Sequence, residues 1–111
     1  RGCSYKLSGP ENGQVTEGYY EYIDKYFASD ILDDFCDTYS AHSYWTDNNW
    51  WAKSSFGEKM AKQYPDKKFE MSEWCELPMR LDSKTIESGL YMANIIIQDL
   101  SWMKYYLLSI R

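Results

Sequence analysis

Apolar positions along this chain switch between helical and strand-like spacing, and the switches mark its elements. From Glu17, the intervals of four and three between Tyr19, Ile23 and Tyr26-Phe27 predict a helix. A short helical turn follows, capped by Ser29 or Asp30 and burying Leu32 and Phe35. Residues 38–45 read as a strand, rich in Tyr, Thr, Trp and small residues, ending in the turn-prone Thr46-Asp47-Asn48-Asn49. Residues 50–64 read as a helix, with Asn49 as N-cap, Ala52, Phe56, Met60 and Tyr64 recurring every fourth position, and Pro65 as its stop. Residues 68–74 form a second strand, and Leu77-Pro78 fall in the loop after it. A third helix is expected over 83–99, capped by Asp82 or Ser83, with Ile86, Leu90, Ala93, Ile97 and Leu100 as its buried stripe. Residues 101–110 make a third strand candidate, and 1–16, with Gly2, Gly9, Pro10 and Gly13, read as a loop.

Strand ends near Tyr44 and Trp74 lie about thirty residues apart, and the next strand begins a similar distance on. Strands alternating with helices at that interval imply βαβ units, a parallel sheet and an α/β fold in a single unit. The expected architecture is a partial (β/α)8 barrel, about three consecutive βα units of a fold that takes roughly 250 residues when complete. Neither Gly-x-Gly-x-x-Gly nor Gly-x-x-x-x-Gly-Lys occurs, which weakens nucleotide-binding alternatives.

Composition narrows the partners. A net charge of −5 with scattered basic residues argues against nucleic acid. Nothing approaches the roughly 18 apolar residues needed to cross a bilayer, so no membrane span is expected. The chain opens Arg1-Gly2-Cys3 without an initiator Met, as a processed product or a piece of a longer chain would. Cys3, Cys36 and Cys75 are too far apart for a zinc knuckle, and neither a metal constellation nor a cofactor is inferred. The 11 Tyr and 5 Trp are the compositional excess. Their flat faces and hydrogen-bonding edges match the C–H faces and polar rim of a sugar ring, although filling a core is the commoner use of any one of them.

In parallel barrels, working residues sit at the carboxyl ends of strands. The first predicted strand offers His42, Tyr44 and Trp45 there, with Asp47 just beyond; the second offers Glu73, Trp74 and Glu76; the third contributes from Trp102 onward. Glu73 stands out as a strand-end carboxylate, flanked by Ser72 and Trp74 with Cys75 one position beyond. The plain alternative is a solvated strand-end carboxylate.

Ala41-His42-Ser43-Tyr44-Trp45-Thr46-Asp47, then Met71-Ser72-Glu73-Trp74-Cys75, then Met92-Ala93-Asn94 running to Ser101-Trp102, resemble the C-terminal part of a retaining glycoside hydrolase of family 30. That family also contains glucosylceramidases, endo-xylanases and β-1,6-glucanases. The resemblance implies that Glu73 is the nucleophile, that His42 and Tyr44 lie beside the sugar, and that Trp102 walls the ring; with a sugar there, the Trp45 face would suit a second aromatic wall. It also implies a β-linked oligo- or polysaccharide as partner and a secreted or periplasmic setting. Retaining chemistry needs two carboxyl groups about 5–5.5 Å apart, one attacking and one donating a proton. The family's proton donor is a glutamate after an asparagine at the fourth strand's end. No Asn-Glu pair occurs in this sequence, where Asn12 instead follows Glu11. This stretch alone is therefore expected to give no glycosidase turnover. Two other readings stay open: a glycan-binding module using Trp45, Trp50 and Trp51, and an α/β domain whose aromatics are core. Unpaired sheet edges predict self-association under all three.

Overall fold

Parallel strands need long crossovers, and each crossover in this chain is helical. The computed structural model describes residues 5–76, 84–103 and 107–108. Strands β1 (Leu7–Asn12), β2 (Cys36–His42), β3 (Lys68–Glu73) and β4 (Leu107–Leu108) pair in parallel in the order β1-β2-β3-β4. Between β1 and β2 run a 3₁₀ turn (Glu17–Tyr19), α1 (Tyr20–Phe27) and α2 (Asp30–Phe35). Helix α3 (Trp50–Gln63) joins β2 to β3; α4 (Ile86–Gln98) and a π-helical turn (Asp99–Met103) lie between β3 and β4. The α/β class and parallel sheet expected from the spacing are therefore present.

Strand alternation sorts the two faces. Tyr39 and Ala41 of β2 and Phe69 and Met71 of β3 are buried against Ile23, Tyr26, Phe56, Met60, Ile95 and Met103 from the helices. Phe56 meets Phe69 edge-on, with centroids 5.2 Å apart and planes at 88°. The intervening positions, Ser40 and His42 of β2 and Glu70 and Ser72 of β3, take the other face, where Ser8 of β1 donates to Glu70 at 3.0 Å. Parallel strands usually read as apolar runs on both faces. This sheet has one polar face.

Two of the expected helix caps are present. Ser29 accepts from the Leu32 N–H and Asn49 from the Ala52 N–H, capping α2 and α3. Other expectations are corrected. The segment before residue 16 is not all loop: Leu7–Asn12 forms an edge strand, the sheet position that tolerates Pro10. Phe35 is 46% exposed rather than buried, and β2 stops at His42, leaving Tyr44 and Trp45 in the following turn. Thr85 caps α4 by accepting from the Ser88 N–H; Asp82, Ser83 and Leu77-Pro78 lie outside the described residues. The stripe Ile86, Leu90, Ala93, Ile97 and Leu100 faces outward, and α4 buries Ser88 and Ile95, with Tyr91 and Met92 half-buried. That helix carries apolar residues nearly all round, so periodicity offered two faces and the wrong one was legible. Finally, Ser101, Trp102 and Met103 belong to the π-helical turn, and the last strand is confined to Leu107–Leu108 among the described residues.

Gly57 is where α3 meets that turn. A Cβ there would lie 2.2 Å from the Trp102 carbonyl oxygen and 3.1 Å from the Met103 Cα, both backbone atoms that cannot swing aside. Gly57→Ala is expected to destabilise by at least about 1–3 kcal/mol, the usual penalty of overpacking, seen as a lower urea midpoint.

Candidate functional site

Two bulges shape the carboxyl ends of the strands. Between Pro10 and Asn12, β1 carries one residue more than β2, and that residue is Glu11, in the left-handed region at φ 69°. Between Met71 and Glu73, β3 likewise carries an extra residue, Ser72. Bulges re-aim side chains and cluster near active sites. Here the two extra residues meet across β2: the Ser72 Oγ donates to the Glu11 Oε2 at 2.6 Å. The second bulge also sets Glu73 opposite His42 as its register partner. Without it, Glu73 would continue the helix-facing series of Phe69 and Met71, because a one-residue slip reverses the faces.

His42 and Glu73 thus end adjacent parallel strands on one rim, and Glu11 joins them from β1. The His42 Nε2 lies 3.0 Å from the Glu11 Oε2. An ionised carboxylate only accepts, so Nε2 carries the proton in that bond. Burial opposes the charge on Glu11, but hydrogen bonds from Ser72 and His42, with the histidine's charge, hold its carboxyl below the ordinary glutamate value. The His42 ring stands edge-on to Tyr44, with centroids 5.8 Å apart at 78°. The Tyr44 hydroxyl donates to the Glu73 Oε1 at 3.0 Å and lies 3.2 Å from the Cys75 Sγ. Cys75, burial and Glu73 all push this phenol's pKa up, so it remains a donor at neutral pH.

Because the Glu11 pKa is depressed in the folded chain, its stabilisation is present above the unfolded value and is lost as pH falls through the folded one. With its side chain 51% exposed the stabilisation is small. Ser72→Ala removes its shortest donor and should raise the Glu11 titration toward the ordinary glutamate range. Carboxyl ¹³C NMR reads that shift directly; an unmoved midpoint would show that Ser72 does not hold the group.

The turn after β2 is pinned from below. Asp47 accepts from the Trp74 Nε1 at 3.1 Å and from the Tyr91 hydroxyl at 2.9 Å, tying the turn to β3's end and to α4. The Ser43 Oγ donates to the Asp99 Oδ2 at 2.8 Å, and Asp99 forms a 2.7 Å ion pair with Lys53, both side chains fully buried. Burial pushes the Asp99 pKa up, against the pull of Lys53 and Ser43. Trp45 rides on this pinned turn at φ 59°, 67% exposed, with its ring 5.8 Å from that of Tyr44. A left-handed conformation at a bulky residue is strained and persists only where its surroundings enforce it.

The structure therefore gathers Glu73, His42, Tyr44 and Trp45, but not Trp102. Trp102 lies on the π-helical turn with its ring against Trp50, 5.6 Å between centroids. The other carboxylates noted in the sequence are anchors: Asp47 as above, and Glu76 as the acceptor of the Ser88 hydroxyl. Sequence reasoning missed Glu11. One signal pointed there: the interval of about thirty residues between the ends of β2 and β3, counted back from His42, falls on it. The cavity beside the cluster, lined by Tyr44, Trp45, Asp47, Trp74, Cys75, Glu76 and Tyr91, holds only about 10 Å³. That volume has room for about one water molecule and not for a larger ligand. Among the described residues, no group of three or more His, Cys, Asp or Glu could hold a metal, and no helix is long and apolar enough to cross a membrane.

No family model matches the chain, and no curated protein matches it. Its fold is similar to that of a conserved exported protein from Bacteroides fragilis, with a TM-score of 0.74 and 20% identity over 95% of this chain. The likeness is one of fold. The chain spans 27% of that protein's length.

Proposed function

We propose that this chain is the nucleophile-bearing part of a retaining O-glycosyl hydrolase acting on β-linked glycans, and that its sheet is a run of strands from a (β/α)8 barrel. The sequential strand order supports the barrel part: each strand pairs with the next, with no reversal of the kind that makes a doubly wound sheet's switch point. The observation that carries the chemistry is Glu73 ending β3 opposite His42 and accepting the Tyr44 hydroxyl at 3.0 Å. In this reading Glu73 attacks the anomeric carbon and Tyr44 orients it. His42, itself held by Glu11, borders the sugar, and Trp45 offers an apolar face to the ring. Glu11 is kept ionised and so serves as an orienting charge rather than the proton donor. The donor comes from residues beyond this stretch, and an exported setting belongs to the same proposal.

The stereochemistry of the first product tests it. The natural polypeptide carrying this chain, given aryl β-glucosides and β-xylosides in an NMR tube, should release the β-anomer first, as double displacement requires. Release of the α-anomer, or no cleavage of aryl β-glycosides or β-glucan and β-xylan oligomers, overturns the proposal.

A further inference from the structure

Trp102 left the rim, but it did not enter the core. With Trp50, the first residue of α3, and Gln98, the last of α4, it lines a separate, shallow and widely open cleft of about 350 Å³. The two indoles are 54% and 43% exposed. Their planes meet at 41°, so they touch each other and present a bent apolar surface rather than a slot that closes on a ring. Behind them, the Gln98 Oε1 is shut off from solvent without a hydrogen-bond partner. A buried acceptor left in that state costs about 1–3 kcal/mol, which a donor arriving with a ligand would recover. The last torsion of glutamine is soft, so the amide can turn toward such a donor.

These features select the ligand class. Among the described residues, no charged residue lines the cleft, which disfavours an ionic ligand. A wholly apolar ligand would leave Gln98 unsatisfied. A neutral pyranose offers a C–H face for an indole and hydroxyls for the amide at once. We infer that Trp50, Trp102 and Gln98 form a second, non-catalytic cleft that binds a neutral sugar unit of an oligosaccharide. The inference stands on this cleft and does not need Glu73 to be a nucleophile.

The test uses the natural polypeptide bearing Glu73→Gln, so that no probe is consumed, with cellohexaose, xylohexaose and gentiotetraose as probes. The indole N–H signals of Trp50 and Trp102 should shift saturably with at least one of them. The double variant Trp50→Ala/Trp102→Ala should lose that binding, and Gln98→Leu, close to it in shape, should weaken it about tenfold. Far-UV circular dichroism on each variant confirms that it folds. Three results would overturn the inference: no shift at either indole with any probe, equal binding by Gln98→Leu, or sedimentation showing that a second copy covers both indoles. Each leaves the reading of Glu73 untouched, and failure of that reading leaves this cleft untouched.

Discussion

Replacing Asp99 by alanine is expected to destabilise the chain by about 3–5 kcal/mol, enough to unfold a marginally stable domain. The change leaves the Lys53 ammonium fully buried without its carboxylate and strips the Ser43 hydroxyl of its acceptor. Lys53→Ala should be comparably damaging for the mirror reason. The pair Lys53→Met/Asp99→Leu should recover most of the loss, because two apolar side chains of similar size have no charge to desolvate. Urea denaturation of Lys53→Met, Asp99→Leu and the double variant that combines them gives the coupling energy directly. If Asp99→Ala unfolds at the wild-type midpoint, the pair does not hold the π-helical turn against α3. The loss should also reach function, because Ser43 stands between His42 and Tyr44 and hangs on Asp99.

Glu73→Gln should abolish turnover in the natural polypeptide, by roughly 10⁴–10⁶-fold, the scale of losing a nucleophile elsewhere. The amide keeps the shape and an acceptor for Tyr44 but cannot attack the anomeric carbon. Tyr44→Phe removes one hydrogen bond to a charged group and should lower kcat about ten- to a hundredfold. Substrate affinity should move much less in both variants, because neither change removes the Trp45 face. Equal kcat for Glu73→Gln and wild type would end the nucleophile assignment.

The sequence revealed the parts of the fold that local chemistry dictates. Helix α3 was legible because Asn49, a four-residue apolar repeat and Pro65 agree with one another, and β3 because its apolar positions alternate. Strand β1 was hidden by its own edge position: Ser8, Gly9 and Pro10 carry no strand propensity, and pairing with β2 supplies what composition does not. The apolar face of α4 was misread because a helix apolar on several sides does not say which side is covered. At the site, His42 and Glu73 were legible as strand-end residues, whereas Tyr44 sits in the turn after β2. Glu11 was not legible, since only two bulges bring it to Ser72 and His42, and a bulge leaves little trace in one sequence. Trp102 was misplaced because a Trp-, Tyr- and Leu-rich run looks like a strand, whereas here it begins as a helical turn packed on Gly57.

A single labelling experiment bears on the whole account. A 2-deoxy-2-fluoro β-glycoside with a good leaving group slows breakdown of a covalent sugar–protein adduct, so peptide mass spectrometry can locate the attached sugar. If Glu73 is the proposed nucleophile, the result is one added sugar on the peptide containing Glu73 and none on that peptide in Glu73→Gln. Sugar attached instead to Glu11, Glu76 or a carboxylate elsewhere, or hydrolysis continuing at full rate with Glu73 unmodified, would contradict the account.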